Sequence, residues 1–184
     1  MKSVLYIIIV LTFTTFASAQ ESSRLPLRVV TSVDLKQYTG TWFEIARLPN
    51  RFQNDCAGDV TATYILLDDG EMKVVNRCRK EHGDTTEAEG LAKRAGDDEP
   101  VSKLKVRFAP SFLSFLPFVW GDYWIIDLAA DYSYAVIGEP KREYLWVLAR
   151  TPVMESDTLT QILARVTAQG YDISTIIKTQ QTIK

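Results

Sequence analysis

Gly40-Thr41-Trp42-Phe43-Glu44-Ile45-Ala46-Arg47 is the stretch whose reading decides the rest of the chain. Side chains alternate across a strand, so Trp42, Glu44, Ala46 and Leu48 share one face, and Phe43, Ile45 and Arg47 the other. Gly40 permits a close backbone approach just before them. Alone, these residues are equally an edge strand with a buried Trp. The segments on either side must decide.

Downstream, short alternating runs follow one another. Residues 59–67 align Val60, Ala62 and Tyr64, Asp68-Asp69-Gly70 turns the chain, and 71–78 return with Met72, Val74 and Asn76 on one face; this is a hairpin pattern. Residues 87–94 carry the small side chains Ala88, Gly90 and Ala92 together, leaving room beside them. Over 102–109, Leu104, Val106 and Phe108 alternate with Lys103, Lys105 and Arg107, which separates an inside from an outside. Three more strands follow: 121–127, with Tyr123 and Ile125 on one face; 134–138; and 144–150, where Tyr144, Trp146, Leu148 and Arg150 align. After Thr151-Pro152 the period changes to that of a helix, with Leu159, Ile162, Leu163 and Val166 in one stripe from about Ser156 until Gly170. Residues 173–179 read as a short final strand. The fold expected is all-β: an eight-stranded antiparallel up-and-down barrel with one C-terminal helix packed outside.

Upstream, Lys2, an apolar run from Val4 to Phe16 and Ala17-Ser18-Ala19 are expected to form a cleaved signal peptide over residues 1–19, leaving 20–184 as a single domain. The apolar run is short for a membrane span, which needs about 20 residues. No Cys follows it to take a lipid anchor. Residues 21–33 are expected to wrap across the barrel base. The protein is read as exported, to a periplasm or out of the cell, where Cys56 and Cys78 can hold a disulfide. Free thiols or an intermolecular bridge are the alternatives. With 21 Lys plus Arg against 23 Asp plus Glu, nothing indicates a nucleic-acid partner.

Topology tests these readings. Connections in an up-and-down barrel alternate between its ends, so Cys56 and Cys78 fall at one end, as a disulfide requires. Trp42 and Arg150 meet at the other end, where a guanidinium over the indole contributes roughly 0.5–2 kcal/mol.

Gly40-Thr41-Trp42, Asp131-Tyr132-Ser133-Tyr134 and Leu148-Ala149-Arg150-Thr151-Pro152 lie in order at barrel spacing. Together they resemble the three motifs of the lipocalins, over about residues 34–181. The likeness is greatest to the bacterial outer-membrane and apolipoprotein D-like members. Two departures stand out: the lipidated Cys of the outer-membrane members is missing, and Ala130 stands where the family often has Thr, in a second motif one residue tighter. The resemblance gives Gly40, Trp42 and Arg150 structural roles. It implies a cavity that carries or sequesters a small hydrophobic or amphipathic ligand, of fatty-acid or lysophospholipid type.

By alternation, and in agreement with that family, the cavity is lined strand by strand. Ala46 comes from the first strand, Ala62 and Tyr64 from the second, Val74 from the third and Gly90 from the fourth. Val106 and Phe108, then Tyr123, then Tyr144 and Trp146 complete the ligand-binding set. The same side chains could instead fill the barrel as core. Glu44 is expected as a satisfied buried carboxylate, paired with a base-end cation such as Arg150, and His82 as a solvated loop residue. No catalytic group, metal or cofactor is expected, since the one histidine lies on a charged loop. An enzymatic alternative needs Cys78 free and facing inward. The segment from Pro110 to Trp120 cannot be a central strand, because Pro110 and Pro117 interrupt it. Its Phe112, Leu113, Phe115, Leu116, Phe118 and Trp120, with nearby Trp124, form either an apolar patch for a membrane surface or a partner, a homodimer included, or a lid folded inward.

Overall fold

Asp34 begins the element order by accepting a hydrogen bond from Lys36 N (2.8 Å), which caps the single turn α1 (Leu35–Tyr38). In the computed structural model, which describes residues 25 to 182, eight strands then close a barrel. They are β1 (Gly40–Arg47), β2 (Gly58–Leu66), β3 (Met72–Arg79), β4 (Thr85–Arg94), β5 (Lys103–Arg107), β6 (Gly121–Leu128), β7 (Tyr134–Gly138) and β8 (Leu145–Ala149). Each pairs antiparallel with the next, and β1 pairs with both β2 and β8. The signal segment expected over residues 1–19 lies outside the described residues.

Alternation splits the apolar side chains into two cores. Inside the barrel, Trp42, Tyr64, Met72, Val74, Leu104, Ile125 and Leu148 pack together beneath Val33 and Tyr38. Outside, Ile126, Val136 and Val147 meet α2 (Ser156–Ala168) through Leu159, Ile162 and Val166. Ile162 is fully buried, and burying such a side chain is worth about 1.5–3 kcal/mol. Beyond α2 the chain returns so closely that a Cβ on Gly138 would overlap the Tyr171 hydroxyl.

Strict alternation fails in β1. Glu44 lies opposite Leu148, but Ala46 lies opposite Val147 and Arg47 opposite Trp146, so one extra residue bulges between Glu44 and Ala46. Ala46 and Leu48 therefore join the outer core, contrary to the expectation that Ala46 lines the cavity, and Arg47 turns inward. The bulge coincides with a change of partner. β1 leaves β2 after Phe43 and takes up β9 (Ile177–Lys178) from the C-terminal tail. The tail fills the gap: Thr179 N donates to Ile45 O (2.9 Å) and Asp59 N to Gln180 O (2.8 Å). Gly58 admits it, since a Cβ there would lie 2.6 Å from Gln180 O.

Candidate functional site

The barrel interior differs between its two ends. At the closed end Trp42 is fully buried and its Nε1 donates to Tyr38 O (2.9 Å). The Arg150 guanidinium lies 3.7 Å from the indole centroid, with Nη1 donating to Thr41 O (3.1 Å) and Nη2 to Gln37 O (2.7 Å). Above this floor the Tyr123 hydroxyl hydrogen-bonds those of both Tyr38 and Tyr64, each at 2.8 Å. Burial pushes all three phenols well above their ordinary range, so they stay neutral. Tyr64 and Tyr123, expected as ligand contacts, thus belong to a hydrogen-bonded floor together with Tyr38.

Toward the other end the inward positions open. Val106, Gly90 and Trp146 are part-buried and Ala88 is exposed. Phe108 lies past the end of β5, 43% exposed, and its ring covers Gly90: a Cβ there would stand 2.7 Å from Phe108 Cδ1. The room expected beside Gly90 is therefore occupied by the phenyl ring. Ala62 and Val74 are buried in the inner core. Tyr144, just before β8, stacks on Trp146 (centroids 5.9 Å apart, planes at 10°) and approaches Phe52 (5.5 Å) at the rim.

A polar cluster crosses this open half. Gln53, in the 3-10 turn Arg51–Gln53, accepts from Trp146 Nε1 and Asn50 Nδ2 (both 2.8 Å) and donates through Nε2 to Glu44 Oε2 (2.6 Å). Glu44 Oε1 accepts from Thr179 Oγ1 (2.5 Å) and faces Arg47 Nε at 3.3 Å. Its cation is thus Arg47 and not Arg150, which sits at the closed end. Burial raises the Glu44 carboxyl above its ordinary value, and the hydrogen bonds from Gln53 and Thr179 and the charge of Arg47 only partly offset it. Arg47, Gln53 and Thr179 are interior residues that alternation could not find. The first needs the bulge, the second a loop that folds back, and the third a tail more than 130 residues away in sequence.

Cys56 and Cys78 form a disulfide with Cα atoms 5.6 Å apart at this same end. They are the chain's only cysteines, so the thiol chemistry of the enzymatic alternative has no free sulfur to use. His82 is exposed in the turn between β3 and β4.

Beside the opening, Phe112, Phe115 and Phe118 are 73–79% exposed, with Leu113 and Leu116 part-buried behind them. The phenyl rings point to solvent instead of folding inward. The two tryptophans expected to join them do not. Trp120 donates to Ser114 O (2.8 Å) and has both Lys93 Nζ (4.3 Å) and the Arg107 guanidinium (5.2 Å) near its ring. Trp124 packs against the outer core under Lys103 Nζ (4.5 Å).

A family profile described as a lipocalin-like domain matches residues 33–181. The chain is 42% identical over 156 residues to temperature-induced lipocalin-1 of Arabidopsis thaliana, covering 84% of this chain and 83% of that protein. It is 40% identical over 164 residues to outer membrane lipoprotein Blc of Escherichia coli (strain K12), covering 87% and 88%. Among solved structures, insecticyanin from the tobacco hornworm Manduca sexta shares the fold with a TM-score of 0.62 at 20% identity, covering 84% of each chain.

Proposed function

The chain belongs to the lipocalin family, and from that premise we propose that it is a carrier that takes a fatty acid or lysophospholipid into the open half of the barrel. Lipocalins generally bind small hydrophobic ligands, and the proposed mode here is reversible burial. The observation that carries the reading is the gradient of exposure along the inward faces. The floor is packed and hydrogen-bonded, whereas Gly90, Val106, Phe108 and Trp146 keep accessible apolar surface above it. The disulfide fits an oxidising compartment, extracellular or periplasmic, and export through the leader at residues 1–19 is part of the proposal.

The exposed phenyl rings extend it. Phe112, Phe115 and Phe118 offer apolar surface at the barrel opening, with Lys93 and Arg107 behind them around Trp120. Such a patch suits transient contact with an anionic bilayer from which a lipid is drawn.

The test pairs mass spectrometry of an organic extract of the purified protein with Trp fluorescence titration by a long-chain fatty acid and a lysophospholipid. A one-to-one lipid in the extract and saturable quenching are expected. An empty extract with no saturable response would overturn the carrier reading. Phe115→Ser with Leu116→Ser should lower partitioning onto phosphatidylglycerol vesicles and slow lipid uptake. Unchanged partitioning would remove the membrane contact and leave the carrier reading standing.

A further inference from the structure

We propose that the Arg47 guanidinium anchors an anionic head group, carboxylate or phosphate, of the ligand held in the open half of the barrel. The proposal rests on the carrier reading and names the chemistry that the cavity selects.

Its grounds are geometric. The β1 bulge places Arg47 opposite Trp146, whose side chain packs against the inner core, so Arg47 faces the interior. Its side chain is 10% exposed. A guanidinium has five N–H donors. Here its one charged contact is the 3.3 Å approach of Nε to Glu44 Oε1, and among the described residues none of its nitrogens makes a hydrogen bond. Nor are those nitrogens sealed in. The buried polar side-chain atoms left without a partner among the described residues are Arg107 Nε, Trp124 Nε1 and Gln181 Oε1, and the Arg47 side chain keeps a small accessible fraction. Buried donors in that state take an acceptor from whatever fills the space.

Glu44 does not use up the cation. Its two oxygens are already held by Gln53 and Thr179, which fix the carboxylate, and its approach to Arg47 is through Nε alone. Burial raises the Glu44 carboxyl above its ordinary value, and an anion at Arg47 competes with it for the guanidinium. Carboxylate and phosphate both match the planar fork through paired N–H···O bonds. The hydrocarbon chain then lies along Trp146, Val106 and Phe108.

Three probes with one chain length test this: tetradecanoate, monotetradecyl phosphate and tetradecanol, titrated into the intact protein by Trp fluorescence. The two anions should bind roughly 10- to 100-fold tighter than the alcohol, the span of a charge-assisted hydrogen-bond pair. Comparison of the two anions separates a fatty-acid site from a phosphate site. In Glu44→Gln/Arg47→Gln, which keeps the pair neutral, the anions should fall to the affinity of the alcohol while the alcohol is unchanged. Arg47→Lys, which keeps the charge in place, should retain an intermediate preference. If the wild-type protein binds all three alike, or the neutral pair weakens all three equally, the anchor is wrong and the carrier reading survives. If none of the three binds saturably, both fall together.

Discussion

Arg150 and Arg47 stand at opposite ends of one barrel seam and live under opposite conditions. Arg150 donates to two backbone carbonyls and covers Trp42, so its charge and its plane are both used within the protein. Arg47 is buried with a single ion-pair contact, to Glu44. The same contrast holds for the aromatic residues. Tyr38, Tyr64 and Tyr123 satisfy one another at the floor, whereas Tyr144 stacks on Trp146 and meets a tilted Phe52 at the rim. The closed end is organised to hold the fold. The open half keeps Gln53, Tyr144 and Trp146 part-buried.

The largest effect should come from the closed end. Trp42→Ala removes the fully buried indole, its hydrogen bond to Tyr38 and the surface on which Arg150 lies. We expect a loss of about 3–5 kcal/mol in urea unfolding. A loss below about 1 kcal/mol would mean that this end is not what holds the barrel.

Opening the disulfide should cost less, because it acts at the other end. Cys56→Ala/Cys78→Ala releases a loop with a sequence separation of 22 residues, worth about 3 kcal/mol through the unfolded chain. Cys56 also ties down the β1–β2 connection, which carries Gln53 onto Glu44 and Trp146. The variant should therefore bind lipid more weakly as well, a result not expected if the loop is a passive cover.

Tyr123→Phe sharpens the comparison further. It leaves the Tyr38 and Tyr64 hydroxyls buried without their shared partner, at a cost of about 1–3 kcal/mol. Lipid affinity should hardly move. A large fall in affinity at unchanged stability would place Tyr123 among the ligand contacts, as the alternating pattern alone had it.

These expectations follow the line between what the sequence made legible and what it did not. Strand order, the hairpins, the helix stripe of Leu159, Ile162 and Val166, the meeting of Arg150 with Trp42 and the Cys56–Cys78 bond were all readable. Each depends on local periodicity or on which end of a barrel a loop must occupy. The reading broke where a long-range partner alters the local rule. The tail inserts between β1 and β2, β1 bulges at the same place, Ala46 goes out and Arg47 comes in. A one-residue slip inverts every later side chain of a strand, and nothing within residues 40–47 announces it. Gly90 misled for a related reason: it leaves space, but Phe108 from beyond the end of β5 takes it.

The smallest effect concerns the tail that pairs with β1 beside the bulge, and it separates two carboxylates on the same seam by the sign of their response to pH. Burial alone would raise Asp59, but the Thr182 hydroxyl (2.6 Å) and amide (2.5 Å) and Arg79 Nε (2.7 Å) outweigh it and hold its carboxyl at about 2. An unfolded Asp titrates near 3.9. The folded value is the lower one, so this clamp contributes fully above about pH 4 and is lost as pH falls toward 2; screening at this surface limits it to about 1 kcal/mol. Glu44 runs the other way. Its folded value is raised, so acidification from neutrality toward its ordinary range favours the folded form and does not loosen Thr179. Amide hydrogen exchange at Thr179 and Thr182 should therefore stay slow from pH 7 to about 5 once the intrinsic pH dependence is removed, and Thr182 should lose protection first below about 4. Asp59→Asn should flatten that acid limb and leave the Thr179 profile in place. Equal loss of protection at both positions would mean that the tail detaches as one piece, and the two carboxylates would then have to be treated as a single anchor.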